Sequence, residues 1–451
     1  MGLESLFGGD FLILLALIPL IIIGMRYPVI VLYVMLFLVP LEGVYVSPEG
    51  ATLTRYSGYI LVGVWLMYKL MHHARIGVLF NHRIIKYTLF FLWLCGVAFF
   101  WSKPGLWLDW ITTLAQILIW MIILLDLIDD RRKLTYALVA LILGNVVSVA
   151  LQLQEYSLYG ELIYYRASGG NTDPNFSSSV SVALLPFVFY GLTQAKWYVR
   201  IVCLAIIVWF LVGVGVSVSR TGVIGAILVL GLQLLVWMRY RYLRPSYTIL
   251  LGGALLVVAL LLPWDKITYR FAVFESQNID ITQIGYRGAL AEIGIQRFVD
   301  NPIIGYGLGR DFVLHNLYLE MANQLGIFGL VTMCLLWFVT WQNARFSINY
   351  ARRINDGAML ALGNAMRLSI IVYAIFSATL SNERVRMLWL TFALAQCIYN
   401  VTARKAEATT TTPVPARSGS QGGLVDEPGR NPRLPRDLQL PSGNRWRRTG
   451  N

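Results

Sequence analysis

Between Phe11 and Val401 the chain returns again and again to apolar runs long enough to cross a hydrocarbon core, which takes about 20 helical residues for about 30 Å. A backbone inside that core must satisfy its own hydrogen bonds, so only helices or a closed barrel can span it. Barrel strands alternate apolar and polar positions over about ten residues, and these runs do not alternate. The chain is therefore expected to be an all-α polytopic membrane protein. With 57% hydrophobic and 14% charged residues, against about 25% charged in soluble domains, it is not expected to be a soluble globular protein. Spans are predicted at 11–24, 28–41, 56–71, 84–101, 107–126, 134–152, 176–194, 198–217, 221–238, 246–262, 316–342, 363–380 and 385–401, about twelve or thirteen crossings by the length criterion. The first two meet at Arg26-Tyr27-Pro28, where a tight hairpin or an incomplete crossing are both open readings. The first run follows Glu4 and Asp10 without a basic leader, so it reads as a retained span rather than a cleaved signal.

The formal net charge is +13. On a membrane protein such an excess reports orientation rather than nucleic-acid binding, because short basic loops stay cytoplasmic. The basic loops are 69–86, 131–133, 196–200, 239–244 and 345–367. Their alternation puts 102–109, 153–175, 218–220, 263–315 and 381–384 on the external face and the C-terminus inside. Residues 1–401 form the expected transmembrane domain, with 263–315 as its long external loop. Residues 402–451 form an expected disordered, basic, cytoplasmic tail, since from Arg404 onward the chain is rich in Thr, Ser, Gly, Pro and Arg and poor in apolar clusters. Cys95, Cys203, Cys334 and Cys397 each sit alone in an apolar run and read as small core residues.

No phosphate loop of the GxxxxGK[ST] type, no HExxH and no Cys/His cluster is present, so ATP hydrolysis and zinc chemistry have no visible machinery. No metal and no other cofactor is expected. The Gly305, Gly307, Gly309 series follows no parallel strand and reads as a flexible loop. Any substrate is met at or in the membrane.

On the external side, basic residues run against the orientation bias and so stand out. In 166–175, Asp173 and Asn175 suit a helix cap before the span starting at Phe176. Arg220, in the short turn Ser219-Arg220-Thr221-Gly222, either snorkels to headgroups or binds an anion in a cavity. Within 263–315, Gly285 to Val299 reads as an amphipathic helix carrying Arg287, Glu292 and Arg297, stopped at Asp300-Asn301-Pro302 and followed by a turn to Arg310. A surface salt bridge from Arg287 to Glu292 is the plainer alternative there. His315-Asn316 opens the next span, and the positive end of that helix favours a neutral imidazole. Glu320, Asn323 and Gln324 continue as a polar stripe fit to shape an acceptor pocket. Guanidinium groups match phosphate oxygens, and a neutral histidine takes a proton from a hydroxyl.

The ordered set Gly170-Asn171-Thr172-Asp173-Pro174-Asn175, Ser219-Arg220-Thr221-Gly222, Arg287 ahead of Asn301-Pro302-Ile303-Ile304-Gly305-Tyr306-Gly307, then His315-Asn316-Leu317-Tyr318-Leu319 with Gly326-Ile327-Phe328-Gly329 resembles the O-antigen ligase and polymerase family of bacterial surface polysaccharide assembly. The resemblance implies a membrane glycosyltransferase of the C-type architecture in the bacterial inner membrane, active at the periplasmic face. It implies an undecaprenyl-diphosphate-linked glycan as donor, a glycan or lipid hydroxyl as acceptor, inversion at the anomeric carbon and no metal. By the same resemblance Arg220 and Arg287 hold the donor diphosphate and His315 activates the acceptor. Asp173, Asn175, Arg310, Asn316 and Glu320 are further candidates for substrate contact. Ligase and polymerase remain alternatives, and a transporter or flippase is a third reading, although the spans carry few charges at their centres. Membrane lipids are expected partners and nucleic acid is not.

Overall fold

The computed structural model describes residues 9–44, 52–72, 80–162, 165–170, 173–240, 252, 264–268, 284–309, 313–381 and 383–411. Their helices are α1 (Gly9–Arg26), α2 (Pro28–Leu38), α3 (Leu53–Met71), α4 (Arg83–Val97), α5 (Pro104–Leu127), α6 (Arg131–Tyr159), α7 (Pro174–Gln194), α8 (Trp197–Val216), α9 (Arg220–Tyr240), α10 (Ile284–Asp300), α11 (Leu317–Arg353), α12 (Gly357–Ser377) and α13 (Arg386–Thr411). No strand occurs among the described residues. Eight of these helices are long and apolar enough to cross a membrane: α4 with the turn to Trp101, α5 to α9, α11 and α12. The stretch Pro28–Leu41 is apolar but shorter. Apart from Gly252, the span expected at 246–262 lies outside the described residues. The protein is an all-helical polytopic membrane protein.

Contacts sort the loops into two ends. At one, Lys69 Nζ meets the Asp126 carboxylate at 2.7 Å and Arg131 reaches Asp356 at 3.9 Å, so the ends of α3 and α5 and the starts of α6 and α12 share the basic end. At the other, Leu308 N donates to Ser102 Oγ at 2.8 Å, Arg384 meets Asp109 at 2.5 Å, and Arg386 pairs with Glu42.

Helix α7 is buried nearly all round. It pairs with α6 through small polar groups: Asn145 Nδ2 donates to Ser181 Oγ at 3.0 Å and Gln152 Nε2 to Ser177 Oγ at 2.6 Å. Helix association in lipid has little hydrophobic drive, so small residues and interhelical hydrogen bonds do this work.

The structure corrects four expectations. The 345–367 loop is short, because α11 runs to Arg353 and Asp356 caps α12 by accepting from Ala358 N and Met359 N. Helix α13 continues past residue 402 to Thr411, because Ala403, Arg404, Lys405, Ala406 and Glu407 are strong helix formers even though they are not apolar. Residues 412–451 lie outside the described residues. Cys334 is exposed, unlike the buried Cys95, Cys203 and Cys397; it sits on the outward face of α11, where the surrounding medium is itself apolar.

The fourth correction concerns the glycine loop, which is docked rather than flexible. Helix α11 breaks at Gly326, with φ 63° and ψ −155°, a conformation essentially restricted to glycine. The break exposes two carbonyls, and the loop fills them: Tyr306 N donates to Asn323 O at 2.7 Å and Gly307 N to Gln324 O at 3.0 Å. Ile327 N returns a bond to Pro302 O at 2.7 Å. Gly305 has φ 70°, and a Cβ there would lie 2.6 Å from Asn323 O. Irregular backbone at membrane depth is tolerated where protein covers it.

Candidate functional site

Two polar clusters form at the end opposite the basic loops. The first surrounds the turn between α8 and α9. Ser217, Val218 and Ser219 are buried, and Val218 adopts φ 48°. Ser219 Oγ accepts from Gly222 N at 3.1 Å and so caps α9. Asn175 Oδ1 is the hub, accepting from Arg166 Nη2 at 2.6 Å and from Ser219 Oγ at 2.9 Å. Arg166 Nε also donates to Ser217 O at 3.2 Å. Arg220 is thus the first residue of α9, half-buried and fixed in place by a capped turn. The amide groups there add to its positive field. Asp173 caps α7 by accepting from Asn175 N at 2.7 Å, so both Asp173 and Asn175 serve the architecture of this turn.

Glu155 is a contributor the sequence reading passed over. Its carboxylate accepts from Ser168 N at 2.8 Å, Gly170 N at 3.1 Å and Tyr165 Oη at 3.4 Å. Burial first, and the Glu155 charge second, push the Tyr165 phenol up, keeping it a donor. A carboxylate at the end of an apolar helix is the only trace of this role in the sequence.

The second cluster surrounds the start of α11. Asn316 Oδ1 caps the helix, accepting from Tyr318 N at 3.0 Å and Leu319 N at 3.1 Å. His315, immediately before it, is half-buried with φ 53°. Glu320 is buried with both oxygens engaged. Oε1 accepts from Leu314 N at 2.7 Å and Ser381 Oγ at 3.0 Å, and Oε2 accepts from Gln324 Nε2 at 3.1 Å. Glu320 therefore holds the residue preceding His315. Asn323 Nδ2 donates to Gly294 O at 2.8 Å, which docks α10 against α11. Glu383 was not singled out by sequence. It is buried, Trp389 Nε1 donates to its carbonyl at 2.7 Å, and burial, then the nearby Glu320 charge, push its carboxyl up to about 7.

Both clusters touch the last turn of α12. Tyr318 Oη donates to Ala374 O at 3.0 Å, and an added Cβ at Gly225, in the second turn of α9, would strike the Phe376 ring at 2.7 Å. Arg287 lies in the first turn of α10, and its side chain is outside the described residues, as is Arg310. What these clusters offer chemically is a positively charged turn, Arg220 on a helix start, and an imidazole on a second helix start.

Residues 205–334 match a family model described as O-antigen ligase. A search of curated proteins finds no match.

Proposed function

We propose, from the match of residues 205–334 to a family model described as O-antigen ligase, that the protein is a membrane glycosyltransferase. It moves a glycan from an undecaprenyl-diphosphate carrier to an acceptor hydroxyl at the outer face of the bacterial inner membrane. One observation carries the reading: the matched stretch contains the Arg220 turn, α10 with Arg287, and His315 at the start of α11. The acceptor oxygen attacks the anomeric carbon from the face opposite the carrier, its proton passing to His315. The bond from that carbon to the diphosphate oxygen breaks, and the configuration inverts. Arg220 and Arg287 hold the diphosphate and neutralise the charge it gains on leaving, so the step calls on no metal. Asn175, Ser219 and Arg166 set the Arg220 turn. Glu320 and Asn316 set the backbone around His315. The C-terminal tail is cytoplasmic in this reading.

The test is transfer by the purified protein in lipid nanodiscs, with lipid-linked glycan and a separate acceptor. Arg220→Ala, Arg287→Ala and His315→Ala should each lower the rate about 100-fold or more while the protein still inserts normally. Retained activity in any two overturns the assignment. Supplying lipid-linked repeat units alone separates the two family activities: a polymerase lengthens the glycan and a ligase leaves it unchanged.

A further inference from the structure

A cavity of about 210 Å³ lies between α2, α3 and α5, remote in sequence from the matched segment. Met35, Gly58, Ile119, Trp120 and Ile123 make its walls largely apolar. Tyr59 and Ile119 are exposed on the outside of the helix bundle, so the cleft opens sideways toward lipid. Two arginines line it, at the same end of the bundle as the two polar clusters. Arg386 is neutralised by its pair with Glu42. Arg55, in the first turn of α3, is half-buried, and its guanidinium has no hydrogen-bonding, ionic or ring partner among the described residues. Trp120 Nε1 is likewise buried without an acceptor among them.

A half-buried cation with no acid paired to it among the described residues, at the rim of a lipid-facing apolar cleft, is complementary to one class of molecule. The rim suits a phosphate, the walls suit a hydrocarbon chain, and Gly58 leaves the room between them. Lining residues 55 to 62 of α3 extend about 10 Å along the membrane, at 1.5 Å per residue, enough to take the upper part of a chain. We infer that this cleft is a binding site for a single phosphate-headed membrane lipid, its phosphate on Arg55 and one chain between α3 and α5. An arginine pairs with a phosphate oxygen through charge-assisted hydrogen bonds, and the uncompensated charge of Arg55 itself favours a lipid of net negative charge over a zwitterionic one. The inference goes beyond glycan transfer and stands apart from it.

The full-length protein in phosphatidylcholine nanodiscs, doped with diazirine-tailed phosphatidylglycerol or equally tailed phosphatidylcholine, provides the test. Photolabelled peptides are mapped by mass spectrometry. Label should fall on 55–62 and 116–123, at least threefold more from phosphatidylglycerol. Arg55→Gln should level the two lipids, Arg55→Lys should keep the preference, and Gly58→Leu should block both, each with an unchanged thermal midpoint. Unlabelled polyprenyl phosphate that competes better than phosphatidylglycerol identifies the carrier lipid as occupant; the reverse identifies an ordinary phospholipid. Equal labelling by both lipids in the unmodified protein, labelling indifferent to Arg55→Gln and Gly58→Leu, or displacement by millimolar inorganic phosphate each overturns the inference.

Discussion

Helices α9 and α11 begin at the same end of the bundle and each presents one candidate catalytic residue, yet their starts are held by different means. Around Arg220 the holding groups are side chains: Arg166, Asn175 and Ser219 form a chain of hydrogen bonds. Around His315 and just beyond it, much of the holding is done by main chain, with the 301–309 loop bonded into the gap that Gly326 opens in α11. A side-chain network can be rebuilt by a conservative replacement. A backbone joint has no such tolerance, because what it requires is the absence of a Cβ.

The comparison breaks most sharply at Gly326. An alanine there meets Ile303 O at 2.2 Å in a conformation that L residues avoid, so Gly326→Ala should cost about 3 kcal/mol and abolish transfer, read from the thermal midpoint and the nanodisc assay. An unchanged midpoint would mean that the break is not needed. On the other side, Asn175→Ala removes the acceptor of two donors, one of them a half-buried arginine. It should cost about 2 kcal/mol. Asn175→Asp keeps an oxygen acceptor and should recover most of the midpoint, and that rescue is what a side-chain network predicts.

Acidity sharpens the comparison further, since the α11 end carries the buried carboxyls. Glu383 keeps its proton up to about 7 when folded, against an ordinary 4.5. Between those values the folded protein binds more protons than the unfolded one. Its contribution to stability is therefore full below about 4.5 and fades as the pH rises through about 7. Melting curves from pH 5 to 8 should show this decline, and Glu383→Gln should flatten it while Asn175→Ala should not. The smallest effect is expected at Arg384→Ala. Its pair with Asp109 is about half exposed on both sides and should contribute less than about 0.5 kcal/mol, a change near the limit of a thermal scan.

Much of the fold was legible because lipid imposes a length on every span and a helix on every backbone. The runs at 107–126, 176–194 and 198–217 correspond to α5, α7 and α8 within a few residues. The amphipathic stretch 285–299 likewise corresponds to α10. The Asp173 cap was legible for a local reason, since a side chain bonding two residues ahead needs no tertiary partner. Glu155 and Glu383 were not legible, because their roles depend on partners or burial that no local pattern encodes. The glycine series was misread as flexible because its hydrogen-bonding partners, Asn323 O and Gln324 O, belong to a helix whose break is itself a tertiary event.

From the order of its residues alone, this polypeptide dictates that it lives in a bilayer, where its helices lie, and which loops carry the scarce charges, because these follow from hydropathy, length and local capping. Only folding decided that Asn175 would serve as a hub for two other segments, that Glu320 would fasten the backbone ahead of His315, and that Arg55 would stand over a cleft. Those outcomes depend on which helices become neighbours, and in an apolar solvent that choice rests on shape and a few buried polar contacts between residues far apart in the chain.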